Sequence, residues 1–246
     1  MEQIVAKISS TFRNQFEKKP KLYRSPGRVN LIGEHTDYNA GFVLPAAIDK
    51  MIVFAINENS NNCSRVYAHD LNESYEFSIN ELKKSPKGWP NYLMGVVDQF
   101  VKSGKTIGGF DCVFGGNIPI GAGMSSSAAI EAGLAMALNE LFKLNMEKLP
   151  LVELARRAEN EFVGVQCGIM DQFINLFGRD NQVLLLDCRS LEHNYYPFDK
   201  DHMYIVLCDT RVRRALASSE YNIRKDQCEK AVQILSQFDR SIKSLR

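Results

Sequence analysis

The sequence predicts an α+β fold in which a mixed sheet packs against helices. Short apolar, β-prone runs separated by turns fill residues 22–56 and continue through 65–68 and 74–78, which indicates a sheet-rich first third. Apolar residues then recur at helical spacing over 93–101 and along the stretch that follows Ser125. Strands and helices follow one another without strict βαβ alternation, which favours α+β over a parallel α/β sheet.

The remaining elements follow from the same periodicities. Ile4, Ile8, Phe12 and Phe16 are spaced by four and predict a surface helix that is neither a signal peptide nor a membrane span. Further strands are predicted at 51–56 and 110–114, with short buried ones at 183–186 and 204–207, and further helices at 125–142, 151–163 and 218–238. A helical pattern also continues over 227–245.

Composition excludes several classes of function. Hydrophobic residues make up 45% and charged residues 24% of the 246, as is usual for globular proteins. Thirty basic and 29 acidic residues leave a net charge of +1, so no strong field attracts nucleic acid or an anionic membrane. The six cysteines form no C-x-x-C pair, so they predict reduced thiols and a cytoplasmic location rather than zinc or a disulfide framework.

A Gly/Ser-rich loop at residues 115–129 connects a predicted strand to a predicted helix. Gly121 and Gly123 let backbone N–H groups approach an anion, and the following helix N-terminus adds unpaired donors. The hydroxyls of Ser125, Ser126 and Ser127 can bind phosphate oxygens, and one of them can ligate Mg²⁺. A tight turn with a serine helix cap is the structural alternative, and for a short Gly/Ser run alone it is the better one.

The combination of features in this loop favours nucleotide binding. No G-K-[ST] follows it, so it is not a Walker A loop. The paired glycines, the three serines and then Ala128 and Ala129 before a periodic apolar helix resemble the P-x-G-x-G-[LM]-S-S-S-A loop of the GHMP family of small-molecule kinases.

Residues 25–45 place Arg28, Glu34, His35 and Asp37 close together between glycines. Two carboxylates three residues apart, with a histidine between them, can accept hydrogen bonds from neighbouring sugar hydroxyls. A polar turn with a helix cap at Thr36 and Asp37 is the structural alternative.

The whole stretch closely resembles the galactokinase signature around G-R-V-N-L-I-G-E-H-T-D-Y, and residues 159–172 and 218–224 agree with the same family. The resemblance covers most of residues 23–228, at four segments in the family's order. It implies ATP-dependent transfer of a phosphoryl group to the C1 hydroxyl of galactose, with Mg²⁺ as the metal.

The resemblance also implies a role for individual residues. Asp171 would be the catalytic base or the charge partner of the attacking hydroxyl, with Arg28 as its cationic neighbour. The implied galactose-binding residues are Glu34, His35, Thr36, Asp37 and Tyr221. The implied nucleotide-binding residues are Gly121, Ala122, Gly123, Met124, Ser125, Ser126 and Ser127, and the implied Mg²⁺ ligands are Ser127 and Glu159. Each role has a structural alternative: Asp171 as a helix cap, Glu159 as a surface charge and Tyr221 as a half-buried aromatic residue.

The domain organisation that the resemblance implies is a GHMP-kinase N-terminal domain at 1–202 and the beginning of a second α+β domain at 203–246. The family's third, glycine-rich motif is not found in this sequence, so we expect a truncated chain that phosphorylates slowly. We also expect an uncovered apolar face, and self-association through that face.

Three other functions remain as alternatives. The first is a non-catalytic galactose or ATP sensor of the same fold, and the second is a kinase for a related sugar such as N-acetylgalactosamine. An RNA-binding module is disfavoured by the near-zero charge. Arg211, Arg213 and Arg214 are predicted to form a solvated basic turn.

Overall fold

The computed structural model describes residues 2–119, 121–208 and 217–246, with the side chains of 217–220 left out. The described helices and strands confirm the predicted α+β class. The helices are α1 (Glu2–Phe16), α2 (Pro90–Lys102), α3 (Ser126–Leu141), α4 (Lys148–Arg157), α5 (Met170–Phe177) and α6 (Ala217–Phe238). The strands are β1 (Lys21–Asn30), β2 (Phe42–Val43), β3 (Pro45–Glu58), β4 (Cys63–Ala68), β5 (Glu73–Ser78), β6 (Phe110–Gly116), β7 (Gln182–Asp187) and β8 (His193–Pro197).

The larger sheet has five strands in the order β1-β3-β6-β4-β5. Its neighbours are antiparallel except for β4 and β6, which run parallel, so the sheet is mixed. A second sheet has the order β2-β7-β8 and is antiparallel throughout.

Helices cover both faces of the large sheet. Ile8 and Phe12 of α1 are fully buried against Val53 and Ala55 of β3, on one face. Because side chains alternate along a strand, Phe54 points to the other face, where α2 to α5 pack. Each fully buried large apolar side chain contributes about 1.5–3 kcal/mol. Helix α1, which was predicted as a surface helix, is therefore attached to the large sheet by its apolar side chains.

Three sequence-based predictions are wrong in detail. The apolar run at 204–207 is not a buried strand: Tyr204 is 85% and Val206 79% exposed, and no described strand pairs with them. An apolar run forms a strand only where the fold supplies a neighbour to complete its hydrogen bonds. The last helix ends at Phe238, as predicted for 218–238, so the helical pattern over 227–245 does not continue as a helix beyond that residue. The helix predicted over 151–163 becomes π-helical at Ala158–Val163.

The predicted basic turn at Arg211, Arg213 and Arg214 lies outside the described residues. Among the residues that are described, none of the helices is both long enough and apolar enough to cross a membrane.

Candidate active site

One cavity of about 740 Å³ is lined by residues from the segment 25–45, from the Gly/Ser-rich loop at 115–129 and from the start of α5. Its volume falls within the range usual for small-molecule sites. Fourteen of the fifteen predicted site residues line it, namely Arg28, Glu34, His35, Asp37, Gly121, Ala122, Gly123, Met124, Ser125, Ser126, Ser127, Glu159, Asp171 and Tyr221. Thr36 does not line it.

The Gly/Ser-rich loop at residues 115–129, the phosphate loop, enters α3 through three left-handed residues. Gly121 and Gly123 have φ of 79° and 77°, and Ser125 has φ of 55°. No side chain caps the first turn of α3, so its unpaired N–H groups remain open to an anion. A left-handed conformation costs a non-glycine residue about 1–2 kcal/mol. Ser125 is therefore held in this conformation by its surroundings.

An ion pair between Arg28 and Asp171 forms part of the cavity wall. Nε of Arg28 donates to Oδ1 of Asp171 at 2.6 Å and a terminal nitrogen donates to Oδ2 at 2.7 Å, a bidentate geometry. The other terminal nitrogen donates to the carbonyl of Gly123 at 2.6 Å. Burial opposes the charge of Arg28, but the attraction of Asp171 outweighs it and the pKa of Arg28 is raised. Arg28 thus fixes Asp171 to the phosphate loop.

The two oxygens of the Asp171 carboxylate differ in their surroundings. Oδ2 accepts a second hydrogen bond, a short one from the hydroxyl of Ser125. Oδ1 accepts one bond among the described contacts. Since each carboxylate oxygen can accept about two bonds, Oδ1 keeps an acceptor position. The Asp171 side chain is 25% exposed, so that position can be reached from the cavity.

Ser127 and Glu159 form a second polar corner of the cavity. Glu159 projects from the π-helical turn, is 6% exposed and accepts a hydrogen bond from Ser127. Burial, followed by repulsion from Asp171, raises the pKa of Glu159. A hydroxyl and a carboxylate are the hard oxygen ligands that Mg²⁺ prefers, and a cation here would offset the cost of the buried charge. The described residues contain no group of three His, Cys, Asp or Glu able to hold a metal, so phosphate and water would have to complete the coordination of Mg²⁺.

Asp37 lies against the backbone at Gly168, close to Asp171. A methyl group at Gly168 would overlap the Asp37 carboxylate, so glycine is required for this approach. Burial, then repulsion from Asp171, raises the pKa of Asp37 to about 6, although the backbone N–H groups of Tyr38 and Asp37 and the charge of Arg28 act in the opposite direction.

Three aromatic rings pack against one another beside Asp37, and two of them, His35 and Tyr221, line the cavity. The ring of Tyr221 lies 5.6 Å from that of His35 and 5.4 Å from that of Tyr38. Nδ1 of His35 and the hydroxyl of Tyr38 are hydrogen-bonded at 2.5 Å. Glu34 accepts a hydrogen bond from Asn30 at 3.2 Å. These contacts place an aromatic wall beside Asp37.

Thr36 holds the loop in place from outside the cavity. Its hydroxyl oxygen lies 2.7 Å from the carbonyl oxygens of both Gly33 and Phe42. The hydroxyl that was expected to contact sugar is therefore already used by the main chain.

Asn222 attaches helix α6 to the cavity wall. Its side-chain oxygen accepts from the backbone N–H of Gln166 at 2.9 Å, and its nitrogen donates to the carbonyl of Gly164 at 3.1 Å. Because Tyr221 precedes Asn222, these bonds determine where the tyrosine ring lies.

Several site residues were missed by the sequence analysis. Tyr92 lines the cavity from α2, and burial with Glu159 and Glu131 raises its pKa to about 12. Tyr38 and Gly168 lie within the two segments that resemble the family, but their residue types alone do not indicate a role; for Gly168 the close approach of its backbone to Asp37 does. Gln172, in the same motif, is fully buried beneath Glu159. Nothing in the sequence marks Tyr92 as a site residue.

Family models match two parts of the chain. Residues 91–179 match the GHMP kinases N terminal domain, and residues 10–58 match the galactokinase galactose-binding signature. The chain is 45% identical to a galactokinase of Roseiflexus sp. over 92% of its own length and 57% of that protein. It is 42% identical to a galactokinase of Clostridium acetobutylicum over 98% of its own length and 63% of that protein.

Solved structures agree with these matches. The Lactococcus lactis galactokinase complexed with galactose superposes with a TM-score of 0.87 at 33% identity, over 98% of this chain and 64% of that one. The Methanococcus jannaschii mevalonate kinase shares the fold, with a TM-score of 0.60 at 20% identity over 74% of this chain and 56% of that one. The chain spans about 60% of the length of the relatives it matches.

Proposed function

Since the chain belongs to the GHMP kinase family and its similar relatives are galactokinases, we propose that it carries the site for ATP-dependent phosphorylation of galactose at the C1 hydroxyl. The observation that supports this most is the position of Asp171. Its carboxylate is paired with Arg28, which also contacts the phosphate loop. In the same cavity it lies beside Asp37 of residues 25–45, the sugar segment.

In the proposed reaction, Asp171 receives the proton of the C1 hydroxyl while that oxygen bonds to the γ-phosphorus of ATP. Oδ1 is the acceptor atom because Oδ2 is already occupied by Ser125 and Arg28. Arg28 holds the carboxylate in one orientation, which is how a protein positions a group for proton transfer. The helix N-terminus and the glycines at 121 and 123 bind the phosphates of ATP, and ADP leaves.

Mg²⁺ fits the corner formed by Ser127 and Glu159. When bound there it would supply positive charge to the β- and γ-phosphate oxygens. Glu34, His35, Asp37 and Tyr221 would bind the sugar hydroxyls, and the aromatic wall would exclude water from one side of the ring.

The test is a coupled assay with MgATP and a panel of sugars that contains galactose, N-acetylgalactosamine and glucose. We expect turnover with galactose and a much lower value with glucose. Turnover with N-acetylgalactosamine alone would contradict the substrate assignment. Binding of galactose and ATP without turnover would indicate a sensor instead.

The raised pKa of Asp37 predicts a pH dependence. Because the pKa rises from an ordinary value of 3.8 to about 6, the carboxyl is neutral below about pH 6 and becomes a full acceptor for sugar hydroxyls above it. We expect the affinity for galactose, measured by calorimetry without nucleotide, to increase from pH 5 to pH 7. Asp37→Asn should bind weakly and without this dependence; an unchanged pH profile in this variant would remove Asp37 as its cause.

The same group has the opposite effect on the stability of the ligand-free protein. A folded pKa above the unfolded value means that Asp37 stabilises the fold below about pH 4 and that this contribution is lost as pH rises through about 6. We therefore expect Asp37→Asn to gain stability relative to the parent protein between pH 4 and pH 7. Thermal unfolding of the two proteins across this range measures the difference, and a constant difference would contradict the shift.

Removing the side chain of Asn222 should weaken sugar binding at a distance. Asn222→Ala loses both bonds to the 164–166 backbone, so Tyr221 is no longer held beside His35. We expect KM for galactose to rise about 10-fold, the scale of a lost hydrogen-bond pair, with little change for ATP. Arg224→Ala, on an exposed part of the same helix, is the control. Equal KM values for the parent protein and Asn222→Ala would contradict the positioning role.

A further inference from the structure

Two fully buried polar side chains lie directly behind Glu159 and take no part in the steps described above. Glu131 of α3 and Gln172 of α5 are both 0% exposed. A glutamate is among the residues least often buried completely unless it is paired. Its position beneath a cavity carboxylate therefore needs a physical explanation.

Gln172 connects the three elements that meet at this point. Its Nε2 donates to Oε2 of Glu159 at 2.8 Å and lies 3.3 Å from Oε2 of Glu131. The carboxyl groups of Glu131 and Glu159 are also hydrogen-bonded to each other. The amide of α5 and the carboxyl of α3 therefore both contact the carboxylate that projects from the π-helical turn.

A purely structural role does not account for this cluster. Oε1 of Glu131 and Oε1 of Gln172 are buried without a hydrogen-bond partner among the described residues. Apolar side chains of similar volume generally stabilise a core at least as well as incompletely bonded polar groups. The polar groups do have one specific effect, which is to hold Glu159 in one rotamer at the edge of the cavity.

We propose that Gln172 and Glu131 are positioning residues that hold the Glu159 carboxylate in the orientation needed to bind Mg²⁺ with the nucleotide. This inference rests on the proposed function, in which Glu159 is a metal ligand. Residues that orient a metal ligand through a hydrogen bond typically change metal affinity by about 10- to 100-fold when they are replaced. Neither residue lines the cavity.

The test measures how strongly Mg²⁺ tightens nucleotide binding. The purified protein is titrated by calorimetry with AMP-PNP, a non-hydrolysable ATP analogue, once with Mg²⁺ and once with EDTA. The ratio of the dissociation constants in EDTA and in Mg²⁺ measures how much Mg²⁺ strengthens the binding of AMP-PNP. We expect Gln172→Asn, whose amide is withdrawn from Glu159 by one methylene, to reduce this ratio by about 10-fold or more. Affinity in EDTA should stay within about 2-fold of the parent value.

Two variants test the explanation. Glu131→Gln keeps a hydrogen-bond donor next to Glu159, so this variant should retain most of the Mg²⁺ effect on AMP-PNP binding. Glu131→Leu has no donor there and should lose the effect. Gln99→Asn makes the same change in another fully buried glutamine, which bonds Glu161 and Arg157 away from the cavity. This control should lose stability without changing the Mg²⁺ ratio. If Gln172→Asn cannot be purified, Gln172→Leu and Glu131→Leu provide the same measurement.

The outcomes separate the inference from the function on which it rests. A normal ratio in Gln172→Asn and Glu131→Leu, together with a lost ratio in Glu159→Gln, would overturn the positioning role and leave the metal ligand in place. A normal ratio in Glu159→Gln would overturn both. A lower ratio in Gln99→Asn as well would mean that any disturbance of the π-helical turn that carries Glu159 and Glu161 causes the loss, which also overturns the inference.

Discussion

Asp171→Asn is expected to lower the turnover number for galactose by at least about 10²-fold, the usual contribution of a positioned base. The asparagine cannot accept the proton of the C1 hydroxyl. It also presents an N–H to Arg28 in place of one of the two accepting oxygens of the bidentate pair. Galactose binding should persist, since the sugar segment is unchanged. Steady-state kinetics with MgATP, and calorimetry with galactose, measure the two quantities separately.

The chain offers a matched control for this change. Asp111 is fully buried and receives a bidentate pair of hydrogen bonds from Arg65 at 2.8 and 2.9 Å, in the large sheet and outside the cavity. Asp111→Asn removes the same kind of contact and should cost stability without reducing turnover per folded molecule. Turnover of Asp171→Asn close to that of the parent protein would remove Asp171 from the reaction.

Gly168→Ala is expected to weaken sugar binding strongly, because the added methyl group displaces the Asp37 carboxylate. The new Cβ would overlap Oδ2 and Cγ of Asp37. The carboxylate can move away at little cost to the fold, because it is the end of a flexible side chain, but it then leaves the position beside Asp171. We expect affinity for galactose to fall about 10- to 100-fold, as when a charged hydrogen-bond partner is lost. Affinity for AMP-PNP should change little.

Gly108→Ala is the control for the added methyl group. There the nearest atom is the edge of the Phe142 ring at 3.3 Å, far from the motif segments, and the backbone is not left-handed. Calorimetry with galactose should give the parent affinity. If Gly168→Ala also bound galactose normally, Asp37 could not be a sugar ligand in the position described here.

The sequence predicted most of the elements that carry the site. The loop before α3 and the apolar face of α1 follow from local spacing, and the structure has both within a few residues of the predicted bounds. Local spacing predicted strands less reliably, because a strand forms only beside a neighbouring strand that completes its hydrogen bonds. The run at 204–207 has the composition of a strand, yet no described strand pairs with it. The short strands β2 and β8 were missed because each consists of only a few residues.

By itself, the sequence determined the α+β class, the phosphate loop, the sugar segment and the family to which they belong, because these depend on residue types at short spacing. Only the tertiary structure decided which side chains act on one another. Arg28 and Asp171 are 143 residues apart, and Glu131 and Gln172 are 41 apart. Their contacts depend on how β1, α3 and α5 pack. The burial and the neighbouring charge that raise the pKa of Asp37 arise only when those elements pack together. The same packing places Gln172 behind Glu159.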